Sequence, residues 1–235
     1  MSIKDQCKSP AGDTSRYWES IFSSRGWGAY PPEDLIRFIA RNYGQAADRA
    51  TVRVLEIGCG PGPNIWYLVR EGYGVAGIDG SVTAIAQARK RLSTDGLPTN
   101  EGRVDLRVGN FVNLPWSDAE FDAVIDIAAL YANKRSDIVS AIDEVFRTLK
   151  PGGMFFGKMF GADTTGSDSG ILFEPGTRQF PDRGPCAGNE IAHFFERNEL
   201  LELFRAFRKV DIDHSICTER NGEILTFHWL VSATK

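Results

Sequence analysis

The stretch TVRVLEIGCGPGPN, residues 51–64, constrains this chain more than any other. Its first half is short, apolar and β-branched, bounded by a polar stretch and by glycines. That is the pattern of a strand buried in a parallel sheet. Its second half sets glycines at 58, 60 and 62 ahead of a helix expected over residues 64–71, with Gly72 placed to end it. A turn between buried strand and helix needs residues without Cβ, so that the backbone bends tightly and a ligand approaches closely. The unpaired N–H groups at the helix start favour a carboxylate or phosphate. A G-x-G-x-x-G dinucleotide loop would require glycine at position 63, where Pro63 stands; the spacing is G-x-G-x-G.

Beyond this loop, strand and helix alternate. Residues 73–79 read as a second strand, and Ser81 is placed to cap a helix carrying Ile85, Ala88 and Leu92 at helical spacing. After a polar loop over 93–102, residues 104–109 and 121–128 supply a third and a fourth strand. The most periodic helix begins at Ser136 or Asp137 and carries Ile138, Ile142, Val145 and Leu149 on one stripe. It stops at LKPGG, residues 149–153, before a fifth strand over 154–160. Such alternation predicts a parallel sheet with helices on both faces. The ending departs from it: residues 209–217 alternate through Val210, Ile212, His214 and Ile216, ILTFHWLV follows, and Asn221-Gly222 between them signals a hairpin. The expected fold is therefore α/β, a doubly wound and mostly parallel seven-stranded sheet ending in an antiparallel hairpin.

The remaining segments are less regular. Leu35, Ile36, Ile39 and Tyr43 mark an amphipathic helix that starts behind Pro31-Pro32 and ends near Gly44. Residues 161–189 are dense in Gly, Asp, Ser and Pro without periodicity and read as a long surface loop or lid. A helix resumes at Asn198 with Leu200, Leu203, Phe204 and Phe207 on one face. The length of 235 residues suits a mobile leader over 1–14 and a single domain over 15–235, with cap helices at 15–45 and a loop or lid insertion at 161–197. A polar N-terminus and the absence of a membrane-length apolar run suggest a cytoplasmic protein with no membrane partner. Net charge of −4 supplies no general basic field for nucleic acid. Cys7, Cys59, Cys186 and Cys217 form no metal-binding spacing, so no metal is expected and the thiols read as reduced.

Several motifs stand together in order. Gly-Cys-Gly-Pro-Gly is followed by Asp79 at a strand end, 19 residues past Gly60, then by GNFVNLPWSDAEFDAVID and by LKPGG. This series resembles the Class I, Rossmann-like, S-adenosylmethionine-dependent methyltransferases, in particular the small-molecule methyltransferase type 11/25 group. The resemblance covers residues 50–160, and 190–233 by topology. It implies a strand order 3-2-1-4-5-7-6, S-adenosylmethionine as cofactor and S-adenosylhomocysteine as product. It also implies cofactor contacts from Glu56, Gly58, Cys59, Gly60 and Asn64 at the amino-acid end. Asp79 would serve the ribose, with Gly80 and Ser81 beside it as further cofactor contacts, Asn110 and Phe111 the adenine, with Asp126 and Ile127 at the end of the fourth strand. Asn110 stands where the family carries Asp; its amide oxygen still accepts the hydrogen bond from the adenine amino group.

Methyl transfer is an in-line displacement that demands alignment more than a general base. The family has no universal catalytic residue, and the candidates here are His193, Asp126 and Tyr131. An (Asp/Asn)-Pro-Pro-(Tyr/Phe) motif, typical of enzymes acting on DNA bases or glutamine, is missing where Asp126-Ile127-Ala128-Ala129-Leu130-Tyr131 stands. Trp18, Arg25, Trp27, Tyr30, Tyr131 and His193 are candidates for the acceptor pocket, whereas His214 and His228 read as structural. The expected function is methyl transfer to oxygen or nitrogen of a small molecule, with no nucleic-acid partner and the oligomeric state open. The alternatives are a non-catalytic S-adenosylmethionine-binding module, a protein or RNA methyltransferase, and an NAD-dependent oxidoreductase, the last disfavoured by Pro63 and the terminal hairpin.

Overall fold

A computed structural model describes residues 14–99 and 102–235, so the expected leader, apart from Thr14, lies outside the described residues. In chain order, α1 (Ser15–Ser24) and α2 (Glu33–Tyr43) precede β1 (Arg53–Ile57), α3 (Pro63–Arg70), β2 (Gly74–Asp79), α4 (Val82–Thr94) and β3 (Val104–Val108). Then come β4 (Phe121–Ile127), α5 (Arg135–Thr148), β5 (Leu149–Phe160), three short strands β6 (Ile171–Glu174), β7 (Thr177–Gln179) and β8 (Ala192–His193), and α6 (Arg197–Leu203). The hairpin β9 (Lys209–Glu219) and β10 (Ile224–Thr234) completes the order.

The principal sheet runs β3-β2-β1-β4-β5-β10-β9. The strands up to β5 pair in parallel, while β10 pairs antiparallel with both β5 and β9. Counted within this sheet, that is the expected order 3-2-1-4-5-7-6. All six residues of β2 are buried, as helices on both faces require. One core packs Ile138, Ala141, Ile142 and Val145 of α5 against Leu55, Val124 and Phe155; the other packs Leu35 and Ile39 of α2 with Ile65, Leu68, Ile85 and Leu92 against Val54, Val75 and Ile125. Each such aliphatic side chain contributes about 1.5–3 kcal/mol on burial. Ser81 caps α4, its Oγ accepting from the Ala84 N–H at 3.0 Å. No helix among the described residues is long and apolar enough to cross a membrane.

Four details differ from expectation. Ile36 points outward at 38% exposure, and Phe38 takes the buried place beside Leu35 and Ile39. The helix α5 begins at Arg135, and Leu149, although fully buried, is extended and opens β5. Pro151 disfavours helical backbone at the residue before it, which draws the transition back to the end of α5. The helix α6 is one turn shorter than its apolar stripe, so Phe204 and Phe207 reach the core from the turn that follows.

The largest difference lies in residues 161–197. Rather than an irregular loop, the segment holds the antiparallel sheet β6-β7-β8, with turns at Gly170 and Gly176 in the left-handed region. It is tied to the protruding end of β10. Gly161 N–H donates to Phe227 O at 2.9 Å, Thr164 Oγ1 donates to the same carbonyl at 2.9 Å, and Thr165 Oγ1 accepts from Leu225 N–H at 2.9 Å. The backbone groups that β10 would otherwise leave unpaired beyond β5 are thereby satisfied.

Candidate functional site

The loop leaving β1 adopts left-handed backbone at Gly58, Gly60 and Gly62, with φ of 63°, 49° and 75°. A Cβ at Gly58 would lie 2.2 Å from the Ala129 methyl, and one at Gly62 would lie 2.7 Å from the Ala88 methyl. At Gly60 the space is open, bounded by the Phe22 ring at 3.4 Å. The first and third glycines are therefore demanded by packing, and the middle one by approach from the cavity.

Two acidic groups flank the loop. Glu56, at the end of β1, is buried, and its Oε1 accepts from Asn64 Nδ2 at 2.6 Å. Its Oε2 and the Asn64 Oδ1 are buried without a hydrogen-bond partner. Burial raises the Glu56 pKa well above the ordinary carboxylate range, with the nearby Asp126 and Asp79 adding to the rise. Asp79, at the end of β2, accepts from Gly60 N–H at 2.8 Å and from Ser81 N–H at 2.9 Å. Burial raises its pKa too, and those two backbone donors oppose the rise. Asp79 thus joins the glycine loop to the start of α4.

The helix α1 roofs this floor. Glu19 reaches from it to α4, accepting from Ser81 Oγ and Thr83 Oγ1, both at 2.5 Å, and from Thr83 N–H at 3.1 Å. Next to it, Trp18 stacks on Phe22 with centroids 5.7 Å apart, and Trp27 meets Phe22 edge-on at 5.1 Å. On its other flank Tyr17 OH lies 3.1 Å from Asn189 Oδ1, and Asn189 Nδ2 lies 2.9 Å from Tyr131 OH. One helix is thereby fastened to α4 on one side and to the 161–197 segment on the other.

Between roof and floor lies a cavity of about 610 Å³. Of the residues singled out from sequence, Glu56, Gly58, Cys59, Gly60, Asn64, Asp79, Gly80, Asn110, Phe111 and Ile127 line it, as do Trp18, Trp27, Tyr30 and Tyr131. Asn110 Oδ1 accepts from Val112 N–H at 3.0 Å, which leaves one lone pair of that oxygen available.

Four of the singled-out residues lie elsewhere. Ser81 is consumed in capping α4 and binding Glu19. Asp126 is fully buried beneath the turn after β4, where its Oδ1 accepts from Ala129 and Leu130 N–H at 2.9 and 3.0 Å; its Oδ2 has no partner. Burial pushes its pKa up to about 7. Arg25 stacks over Trp27 at 5.8 Å outside the cavity. His193 corrects the expectation of a base or pocket residue. Its ring is fully enclosed, with Nδ1 at 2.6 Å from Thr177 Oγ1 and Nε2 at 3.0 Å from Glu199 Oε2, so it joins β7, β8 and α6. Sequence reasoning missed Phe22, Asn133, Phe160 and Pro185, which also line the cavity. Phe22 was detectable, since it stands one helical turn beyond Trp18 on the same face.

A glycine loop at the first strand, an acid ending the second and a reversed last strand define a Rossmann-like protein built around an adenosyl cofactor. Residues 54–153 match a family model described as a methyltransferase domain. A solved S-adenosylmethionine-dependent methyltransferase of Methanosarcina mazei is 29% identical with a TM-score of 0.66, the match covering 84% of this chain and 96% of that one. A probable S-adenosylmethionine-dependent methyltransferase of Mycolicibacterium smegmatis is 32% identical over 161 residues, 68% of this chain and 54% of that protein. A fatty-acid O-methyltransferase of the same organism is 31% identical over 148 residues, 57% of this chain and 51% of its own length. Residues 54–153 thus match a methyltransferase domain, and the chain is similar in sequence and fold to S-adenosylmethionine-dependent methyltransferases. It spans about half the length of the two curated relatives.

Proposed function

We propose that this chain, as a cytoplasmic enzyme, transfers the methyl group of S-adenosylmethionine to an oxygen or nitrogen of a small molecule. The observation that carries the reading is the roofed cavity. It joins a polar floor suited to the cofactor to the rings of Tyr131 and Phe160, whose centroids lie 4.7 Å apart, with Pro185 also in the lining. The donor set fits S-adenosylmethionine: Glu56 Oε2 and Asn64 Oδ1, buried acceptors lacking a donor, suit an ammonium group. A cation there would also offset the cost of an ionised Glu56. Asp79 suits ribose hydroxyls, and Asn110 with Phe111 suits an adenine edge and face. When bound, the cofactor supplies an electrophilic methyl on a sulfonium.

The chain's own residues orient the partners and exclude water. Tyr131 and Asn133 are among the polar side chains of the lining. Burial raises the Tyr131 phenol further above its already high ordinary value, so it stays protonated and acts as a hydrogen-bonding group, not a base. The acceptor atom is then one that is nucleophilic without help, such as a carboxylate, a phenolate or a free amine. The roof of α1 and the insertion makes a chamber instead of an open groove, which favours a small molecule over a polymer.

Thermal melts with S-adenosylmethionine, S-adenosylhomocysteine and NADH test the cofactor. Ligand at about 100 times its dissociation constant adds about 2.7 kcal/mol, a shift of roughly 5–10 °C for a domain of this size. Shifts with the two adenosyl ligands alone are expected, followed by label transfer from methyl-labelled donor to one acceptor class in a screen. A cooperative melt unmoved by both would sink the reading.

A further inference from the structure

A second cavity, about 440 Å³, lies on the far side of the segment joining α1 to α2. Trp27, Tyr30, Trp66, Gln87, Lys90 and Arg91 contribute to its walls. Trp27 and Tyr30 also line the larger cavity, so the two spaces share a wall.

Its chemistry is unusual for bare surface. Tyr30 is 78% exposed and Trp27 44%, large rings that burial in the core would ordinarily claim. Tyr30 meets Trp66 edge-on at 6.1 Å, and the Trp66 indole is held in place by Nε1 donating to Asp95 Oδ2 at 2.6 Å. The rings therefore form an ordered aromatic wall with faces and edges left to a ligand.

The charge around that wall is positive. Arg70 lies over Trp66 at 5.2 Å and Arg25 over Trp27 at 5.8 Å. Arg91 spends its guanidinium on neutral carbonyls, those of Pro61 at 3.2 Å, Ala29 at 2.9 Å and Gly28 at 3.3 Å, and pairs with no carboxylate among the described residues. The Lys90 ammonium has no hydrogen bond or ion pair among the described residues. Asp95 is the one acid in the lining, and it is turned to Trp66.

We propose that this second cavity binds a planar aromatic anion, a ring bearing a carboxylate or sulfonate, with the ring against Tyr30 and Trp27 and the charge toward Lys90. Aromatic edges and faces hold a ring at low entropic cost because the walls are already ordered. An unpaired ammonium at the rim supplies the charge preference, which salt weakens. The site stands apart from the methyl-transfer chemistry and does not rest on it.

Calorimetric titration of the full chain with indole-3-carboxylate and with the uncharged indole-3-carboxamide tests this. The carboxylate is expected to bind more tightly by about fivefold, the scale of one exposed charge contact. Lys90→Glu, an exposed position that leaves folding intact, is expected to erase that preference, and Trp66→Ala to weaken both probes. The preference is expected to persist at saturating S-adenosylhomocysteine, whose own binding is recorded first. Equal affinities, no heat with either probe, an undiminished preference in Lys90→Glu, or displacement by S-adenosylhomocysteine overturns the proposal. A protein that takes up no S-adenosylhomocysteine counts against the methyltransferase reading alone, and the two-probe comparison still decides this one.

Discussion

Glu19 of α1 accepts hydrogen bonds from Ser81 and Thr83 at the start of α4, so a carboxylate from the roof acts as an anion at the positive end of a floor helix. These bonds hold the Glu19 pKa below its ordinary value of 4.5. A depressed carboxylate contributes docking that is complete above its ordinary pKa and is lost as pH falls through the lower folded value. The roof is therefore expected to stay closed through the pH range where free carboxylates protonate, and to open only in stronger acid. Glu19→Gln should raise amide exchange across residues 15–24 at neutral pH and speed S-adenosylhomocysteine release. Unchanged exchange there would show that Glu19 does not hold α1 in place.

The glycine loop separates packing from ligand approach. Gly58→Ala sets a methyl 2.2 Å from that of Ala129 in left-handed backbone, and a loss of about 3 kcal/mol is expected. Gly60→Ala meets only the Phe22 ring at 3.4 Å, so about 1 kcal/mol is expected, chiefly from the backbone. The Gly60 variant should nevertheless bind S-adenosylhomocysteine markedly more weakly. Urea unfolding and calorimetry on both variants compare the two effects, and a reversed order of stability loss would contradict the assignment.

Asp126 makes stability depend on pH in the opposite sense. Its folded pKa of about 7 lies above the ordinary 3.8, so the folded state holds a proton that the unfolded chain has released over that interval. Stability therefore falls as pH rises between these values, at a full cost on the order of 4 kcal/mol above pH 7. Asp126→Asn keeps an acceptor for the Ala129 and Leu130 N–H groups and carries no charge. It should be more stable than the parent at pH 8 and show a flatter stability profile from pH 4 to 7. Glu56 and Asp79, raised in the same way, leave a residual slope. Parallel profiles for parent and variant would show that Asp126 is not the group responsible.

His193 is expected to matter for folding and not for chemistry. His193→Ala removes one partner each from Thr177 Oγ1 and Glu199 Oε2 in an enclosed site, while Glu174 and Arg135 still bond those side chains; a loss of about 2 kcal/mol is expected, or about 2–4 °C in melting temperature for each kcal/mol. Turnover per folded molecule, measured below the variant's melting range, should match the parent. A turnover loss that exceeds the unfolded fraction would restore a chemical role to this ring.

The sequence was legible where local rule and tertiary demand agree. The positive-φ glycines at 58, 60 and 62, the Ser81 cap and the Asn221-Gly222 turn each express a backbone requirement that few residue types meet; they marked the cavity floor and the closing hairpin, whereas the strand order followed from the family resemblance. Residues 161–197 were opaque because their strands are two to four residues long and β6 is largely exposed, so no alternation could form. That segment is tied through Thr164 and Thr165 to Phe227 and Leu225 of β10, partners far away in the chain. Glu19 was opaque for a related reason: on α1 it reads as one more solvated charge, and only the approach of α4 gives it a role. Phe160 and Pro185, both in the cavity lining, meet there through topology and not through spacing.

The position of β10 also bears on how the molecule is made. It lies inside the principal sheet, between β5 and β9, although it is the last strand in chain order. Until residues 224–234 are synthesised, the flank of β5 stays bare, an apolar strand edge open to any other unpaired strand nearby. Assembly on the ribosome therefore passes through a sticky intermediate in which β1 to β5 are already made, for which early chaperone contact would be protective. A stop codon shortly after residue 208 should yield inclusion bodies instead of a smaller, weaker enzyme.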